Sequence, residues 1–322
     1  MPRAEETSRG VLRGDRRSIA RAITVVENGA ADAKRLMALL FPHTGKAHII
    51  GFTGSGGAGK STLIEKVTRE YLRKGQTVGV VAVDPTSPFT GGAFLGDRIR
   101  MQDLSTDERV FIRSMATRDH SGGIAKATRD AVRVLDAAGK NIVIVETVGA
   151  GQSEVEISNV AQTVVVVHAP GLGDEIQAIK AGIMEIADVF VVNKADRENA
   201  DETVIDIRAI LQLDDKEKSR TWKTPVLKTV ALTGDGVREL VDKLEEHKQF
   251  LEGEHDRRTM LAAKAEAELV EAVKERAAEA ILDGLRRDGK LDGLLQEIVE
   301  RRMDPDSVAD RILKRALSNV SS

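Results

Sequence analysis

The chain has 322 residues, 51 acidic and 48 basic side chains for a net charge of −3, and no cysteine. Disulfides, thiolate nucleophiles and cysteine-based metal centres are excluded, and the charge balance gives no general pull toward nucleic acid or an anionic membrane. Aromatic residues are only 3%, too few for base-stacking platforms. No apolar run approaches the roughly 18 residues of a membrane span, and the N-terminus lacks the apolar core of a secretory signal. A cytoplasmic location is expected. Arg9, Arg13, Arg16 and Arg17 hint at an organelle transit peptide, but Glu5, Glu6 and Asp15 interrupt them.

Residues 1–46 read as an N-terminal helical extension. Ile19, Ile23 and Val26 share a helical face that Asn28-Gly29 ends, and Leu36, Leu39 and Leu40 form a second short helix before Pro42. The stretch 47–250 alternates apolar, β-branched runs with helical patterns. Strands are expected at 48–53, 78–83, 110–112, 141–146, 163–168, 189–193 and 226–231. Helices are expected from about 61 to 75, 123 to 138, 199 to 211 and 236 to 250. Continuous apolar strands between helices imply an α/β fold with a mainly parallel sheet flanked by helices on both faces. Residues 251–322 carry no strand pattern. Leu261, Leu269, Val273, Ile281 and Leu285 recur at helical spacing, Gly289 breaks the pattern, and Asp304-Pro305 looks like a helix start. This C-terminal arm is too thin to cover its own apolar stripe, so it is expected to pack on the core or on a second copy, with a homodimer favoured.

The chemistry centres on Gly54-Ser55-Gly56-Gly57-Ala58-Gly59-Lys60-Ser61-Thr62, a G-x-x-x-x-G-K-S stretch between the first strand and a helix. Glycines let the backbone wrap an anion with its N–H groups turned inward, and the helix N-terminus adds partial positive charge. Lys60 is expected on the β- and γ-phosphates and Ser61 on Mg²⁺. The fold is therefore that of a P-loop NTPase with N- and C-terminal helical extensions.

Four further strand ends belong to the same ligand crevice. Glu146-Thr147-Val148-Gly149 offers a carboxylate toward the metal and a glycine N–H toward the γ-phosphate. Asn193-Lys194-Ala195-Asp196 is an N-K-x-D stretch, in which Asp196 can accept both the N1–H and the 2-amino hydrogens of guanine. Adenine would leave that carboxylate unpaired, at about 1–3 kcal/mol, so GTP and GDP are the expected ligands. Ala231, Leu232 and Thr233 would present backbone N–H groups to the guanine O6. Asp84, with the glycine-rich stretch that follows, suits a segment that orders around nucleotide and Mg²⁺. Ala150 stands where Ras-like GTPases place the water-positioning glutamine, which implies slow intrinsic hydrolysis. The six histidines form no metal-ligand cluster.

The run from Glu146 to Glu154 resembles the E-T-V-G-x-G-Q-S-E segment of the MeaB/ArgK group of metallochaperone-type P-loop GTPases. Val83-Asp84-Pro85-Thr86-Ser87-Pro88, Leu95-Gly96-Asp97-Arg98-Ile99-Arg100-Met101 and Gly173-Asp174-Glu175-Ile176-Gln177-Ala178-Ile179-Lys180 are similar to that group as well. The resemblance implies a homodimer through the C-terminal arm. It implies a partner, the adenosylcobalamin-dependent methylmalonyl-CoA mutase, whose cofactor loading the protein gates and which it protects from inactivation. It implies GTP hydrolysis that is slow alone and faster with the mutase. It places metal-interacting carboxylates at Asp84, Asp97 and Glu146, and a third switch around Asp174 to Lys180, with Lys180 linking partner to nucleotide. Gly56 departs from the group, where proline is usual. Two other readings compete: a metal-insertion accessory GTPase, which zero cysteines disfavour, and a transport-linked ATPase or kinase, which the N-K-x-D stretch disfavours.

Overall fold

The computed structural model describes residues 2–85, 101–117, 126–147, 156–171, 182–213 and 220–318. Within them lie strands β1 (His48–Thr53), β2 (Val78–Pro85), β3 (Val110–Thr117), β4 (Ile142–Thr147), β5 (Thr163–His168), β6 (Val189–Asn193) and β7 (Val226–Thr229). They form one seven-stranded sheet in the order β3-β2-β4-β1-β5-β6-β7. Every neighbouring pair is parallel. The strands are largely apolar because both faces of the sheet are covered. Val143 and Val145 of β4 face one core, and Ile142 and Ile144 face the other.

The first core lies under the N-terminal helices α1 (Pro2–Leu12), α2 (Arg16–Glu27) and α3 (Ala33–Leu40), which contribute Val11, Ile19, Ile23, Leu36 and Leu40. The second lies under α4 (Lys60–Arg73), which contributes Leu63, Ile64 and Val67. Short α5 (Gln102–Ser105) precedes β3, and α6 (Lys126–Ala137) precedes β4. Short α7 (Ile183–Ile186) precedes β6, α8 (Ala200–Leu213) precedes β7, and α9 (Val237–Glu252) follows it. Val132 and Leu135 of α6 and Val204 and Ile207 of α8 join the first core; Leu240, Val241 and Leu244 of α9 join the second. Burying each such side chain contributes about 1.5–3 kcal/mol.

Three elements differ from their sequence expectation. Helix α1 has no apolar period to announce it: it buries Thr7 and Ser8 as well as Ala4 and Val11. Gly10 lets it approach α2, since a Cβ there would meet the Ser18 hydroxyl at 2.1 Å. Strand β3 runs on to Thr117, because Arg113 turns its charge onto Glu27 of α2. The last strand stops at Thr229, where Val230 bridges back to Asp235 across a turn.

Polar groups fasten the N-terminal layer. The buried Asp136 carboxylate on α6 accepts the backbone N–H groups of Gly45, Lys46 and Ala47. The Arg16 guanidinium donates to the carbonyls of Ser105 at 2.9 Å and Val110 at 2.8 Å. At the edge where the strands begin, the Thr163 hydroxyl lies 2.7 Å from His48 Nε2 and 2.8 Å from His247 Nδ1. His247 packs at a tilt against Trp222, whose indole N–H donates to the carbonyl of Asp188 at 2.9 Å. Burial pushes both imidazoles below the usual histidine range, His48 to about 3 and His247 to about 4.

The chain divides into two compact units, Met1–Glu252 and Gly253–Ser322. The second consists of α10 (Glu254–Arg287), α11 (Leu291–Val299) and α12 (Pro305–Ser318). Helix α10 has 34 residues, so it is about 50 Å long. It ends at Asp288-Gly289, where Gly289 takes a φ of 65°. Asp304 caps α12 by accepting from the Ser307 N–H at 3.0 Å. Leu269, Val270 and Val273 on α10 stand exposed.

Candidate nucleotide site

Strand β1 sits between β4 and β5, where the sheet order reverses, so the loops at its carboxyl end flank a crevice. Thr53 closes β1 and Lys60 opens α4, with Gly59 at the cap. Gly54 has a φ of 122°, and a Cβ on it would lie 2.0 Å from the Val167 carbonyl oxygen. Gly59 has a φ of 92°, and its Cβ would meet Asn193 Nδ2 at 2.5 Å. Both positions require glycine. Gly56 has open space around it and no positive φ.

The carbonyls of this loop are held by side chains. Lys60 Nζ donates to Gly54 O at 2.6 Å and Ser55 O at 2.9 Å. Lys194 Nζ donates to Gly57 O at 2.7 Å, and Asn193 Nδ2 donates to Ala58 O at 2.7 Å. A peptide whose C=O is fixed in one direction points its neighbouring N–H groups the other way, which suits an anion cradle. Ala58 is buried, Ser55 and Thr62 are half-buried, and Gly57 is exposed at the rim.

Glu146 lies near the end of β4 and is 5% exposed. Its Oε1 accepts from the Ser61 hydroxyl at 2.7 Å. A buried hydroxyl beside a buried carboxylate is a pair of hard oxygen donors, and this fits Mg²⁺, which binds through one or two such groups together with phosphate oxygens. Asp84 stands near the end of β2, level with Ala116 of β3, at the same edge of the sheet. Gly149, Asp97 and Lys180 lie outside the described residues, as do Asp174 and its neighbours. Among the described residues there is no cluster of three or more His, Asp or Glu that could hold a metal ion by itself.

The base-recognition loops meet at Asn193. Its Oδ1 accepts from the Ala231 N–H at 3.0 Å and from the Thr229 hydroxyl at 3.1 Å. Lys194 follows in the left-handed region, with a φ of 57°, and Asp196 is exposed. Leu232 and Thr233 are exposed on the turn after Val230, and the Thr233 hydroxyl donates to Asp235 at 2.7 Å. The Asn193 amide thus bonds protein groups of both motif loops. The sequence reading did not single out Thr53 and Thr147, whose hydroxyls lie 3.0 Å apart; the available signal was a threonine closing each strand that leads into a motif.

A seven-stranded parallel sheet with this loop at its switch point defines a P-loop nucleotide-binding protein of the GTPase class. Residues 19–285 match the family model described as methylmalonyl Co-A mutase-associated GTPase MeaB. The chain belongs to the MeaB family. A Pyrococcus horikoshii protein given only the general name of GTPase is 50% identical over 313 residues, covering 97% of this chain and 98% of that protein. A mitochondrial mouse protein, the methylmalonic aciduria type A homolog, is 30% identical over 95% of this chain and 77% of its own length. The crystal structure of an LAO/AO transport system kinase superposes with a TM-score of 0.73 at 26% identity, over 98% of this chain and 97% of that one.

Proposed function

We propose that this protein is a GTP-hydrolysing chaperone of an adenosylcobalamin-dependent methylmalonyl-CoA mutase, gating cofactor loading and protecting the enzyme from inactivation. The observation that carries the nucleotide half of this reading is the Asn193 amide, which joins the phosphate loop at Ala58 to the base loop at Ala231. The description of the family model and the likeness to the mouse protein support the mutase half.

In this reading the N–H groups of Gly54 to Thr62 and the Lys60 ammonium hold the β- and γ-phosphates. Asp196 accepts from the N1–H and 2-amino group of guanine, and the backbone of Ala231, Leu232 and Thr233 faces its O6. Ser61, Asp84, Asp97 and Glu146 are the metal set; Mg²⁺ supplies charge neutralisation to the phosphate oxygens when bound. Gly149 offers its N–H to the γ-phosphate. Lys180 links the mutase to the site and, on complex formation, stabilises charge on the transferring γ-phosphoryl. Turnover is slow alone and stimulated by the mutase. Residues 1–46, 47–250 and 251–322 serve as extension, GTPase domain and dimerisation arm, and the exposed apolar residues of α10 support a homodimer.

The test is single-turnover hydrolysis of GTP and ATP, with and without methylmalonyl-CoA mutase. GTP is expected to be the preferred substrate, with a rate that rises on adding mutase. Lys180→Ala is expected to abolish the stimulation and leave GTP binding near that of the parent. A preference for ATP would favour a kinase or transport ATPase, the reading that the name of the superposed structure suggests. Indifference to the mutase in every nucleotide state would overturn the chaperone role.

A further inference from the structure

The backbone ladder between β1 and β4 runs from His48 opposite Ile142 to Phe52 opposite Glu146, and stops there. One residue further on, the Thr147 hydroxyl donates to the Thr53 hydroxyl at 3.0 Å. Both side chains are fully buried, at 1% and 0% exposure. On their outer sides the two strands continue in register, Thr53 with Val166 of β5 and Thr147 with Val83 of β2. The hydroxyl pair thus closes the one gap that the shortened ladder leaves. It does so where the phosphate loop leaves β1, at the last residue of β4. Side chains alternate along a strand, so Glu146 projects to the other face, where it meets Ser61.

We propose that Thr53 and Thr147 are positioning residues: their hydroxyl bond holds the end of β4 so that the Glu146 carboxylate stays against Ser61, and this sets the affinity for the divalent cation that accompanies nucleotide. The inference rests on the nucleotide-site reading above. A buried hydroxyl pair that merely stabilised the fold would affect every ligand property together. A positioning pair acts on the cation and leaves base selectivity alone.

The experiment is GDP dissociation from the full-length protein across a Mg²⁺ titration, for the parent, Thr53→Val, Thr147→Val, Thr147→Ser and the double valine variant. Either valine keeps the shape and removes the hydroxyl, and is expected to raise the half-maximal Mg²⁺ concentration about three- to tenfold. Thr147→Ser keeps the bond and is expected to follow the parent. The double variant is expected to be no worse than either single one, because one interaction is lost in each. GDP affinity without Mg²⁺ and the preference for GDP over ADP are expected to stay unchanged. Superposable Mg²⁺ curves overturn the proposal, and so does an equal loss of affinity with and without Mg²⁺. Should Thr147→Val fail to fold, Thr53→Val decides by the same criteria. A parent that holds no guanine nucleotide overturns the site reading and this inference with it. A parent with Mg²⁺-dependent release that the variants copy overturns the hydroxyl pair alone.

Discussion

Asn193 donates from its amide to the carbonyl of Ala58 at 2.7 Å, across 135 positions of sequence, while its oxygen takes the N–H of Ala231. One side chain therefore sets the spacing between the phosphate loop and the base loop. Asn193→Ala leaves a buried carbonyl and a buried N–H without partners, and is expected to cost about 2–3 kcal/mol of stability. GDP and GTP affinity should fall by the same factor, measured by titration calorimetry beside chemical denaturation. Asp196→Asn at an exposed position is expected to leave the melting temperature unchanged and lower guanine affinity about tenfold or more.

Gly54 and Gly56 predict opposite outcomes two residues apart. Gly54→Ala drives a Cβ into the Val167 carbonyl and forces a side chain onto a φ of 122°. The cost should exceed about 2 kcal/mol, with loss of nucleotide binding. Gly56→Ala meets nothing within 4 Å and restricts the unfolded chain, for a gain of about 0.4–1 kcal/mol. Thermal melts with and without GDP separate the two.

Acid should weaken the fold through His48 and His247. Both are held neutral by burial, near 3 and near 4, whereas an unfolded imidazole titrates near about 6.5. Between those limits the unfolded chain binds more protons, so stability rises with pH through that window and falls as the pH drops below about 6.5. The slope is about 1.4 kcal/mol per pH unit for each ring. Denaturant midpoints measured from pH 7 to pH 4.5 check this, and His247→Asn should flatten the curve.

Asp136 holds three consecutive N–H groups of the segment that enters β1. Asp136→Ala removes charge-assisted bonds worth about 1.5–3 kcal/mol each in isolation, and a net loss of about 3 kcal/mol is expected. The urea midpoint should fall with an unchanged m-value.

Much of the fold is written locally. The Gly54–Thr62 loop announces itself because the glycine positions follow from backbone geometry alone, and the seven apolar strand runs follow from burial on both faces. Helix α1 escaped because Thr7, Ser8 and Gly10 stand between Ala4 and Val11 on its buried face and interrupt any hydrophobic period. The full length of β3 escaped because Arg113 reads as solvent-facing until Glu27 is placed beside it. The site was legible by type and illegible by geometry. Nothing near Asn193 in sequence says that its amide ends on Ala58, since such bonds depend on strand order rather than on neighbours along the chain.

The lone indole of the chain, Trp222, lies 4.7 Å from the His247 ring and 5.5 Å from Phe250. This is the edge where the strands start, and the phosphate loop leaves from the edge where they finish, about 20 Å away along a six-residue strand. Native tryptophan emission will therefore follow unfolding and the charging of the adjacent imidazole, and stay blind to the arrival of a ligand. A dye is the remedy, and the lack of any native thiol makes a single introduced cysteine on the Leu232 turn a unique attachment point.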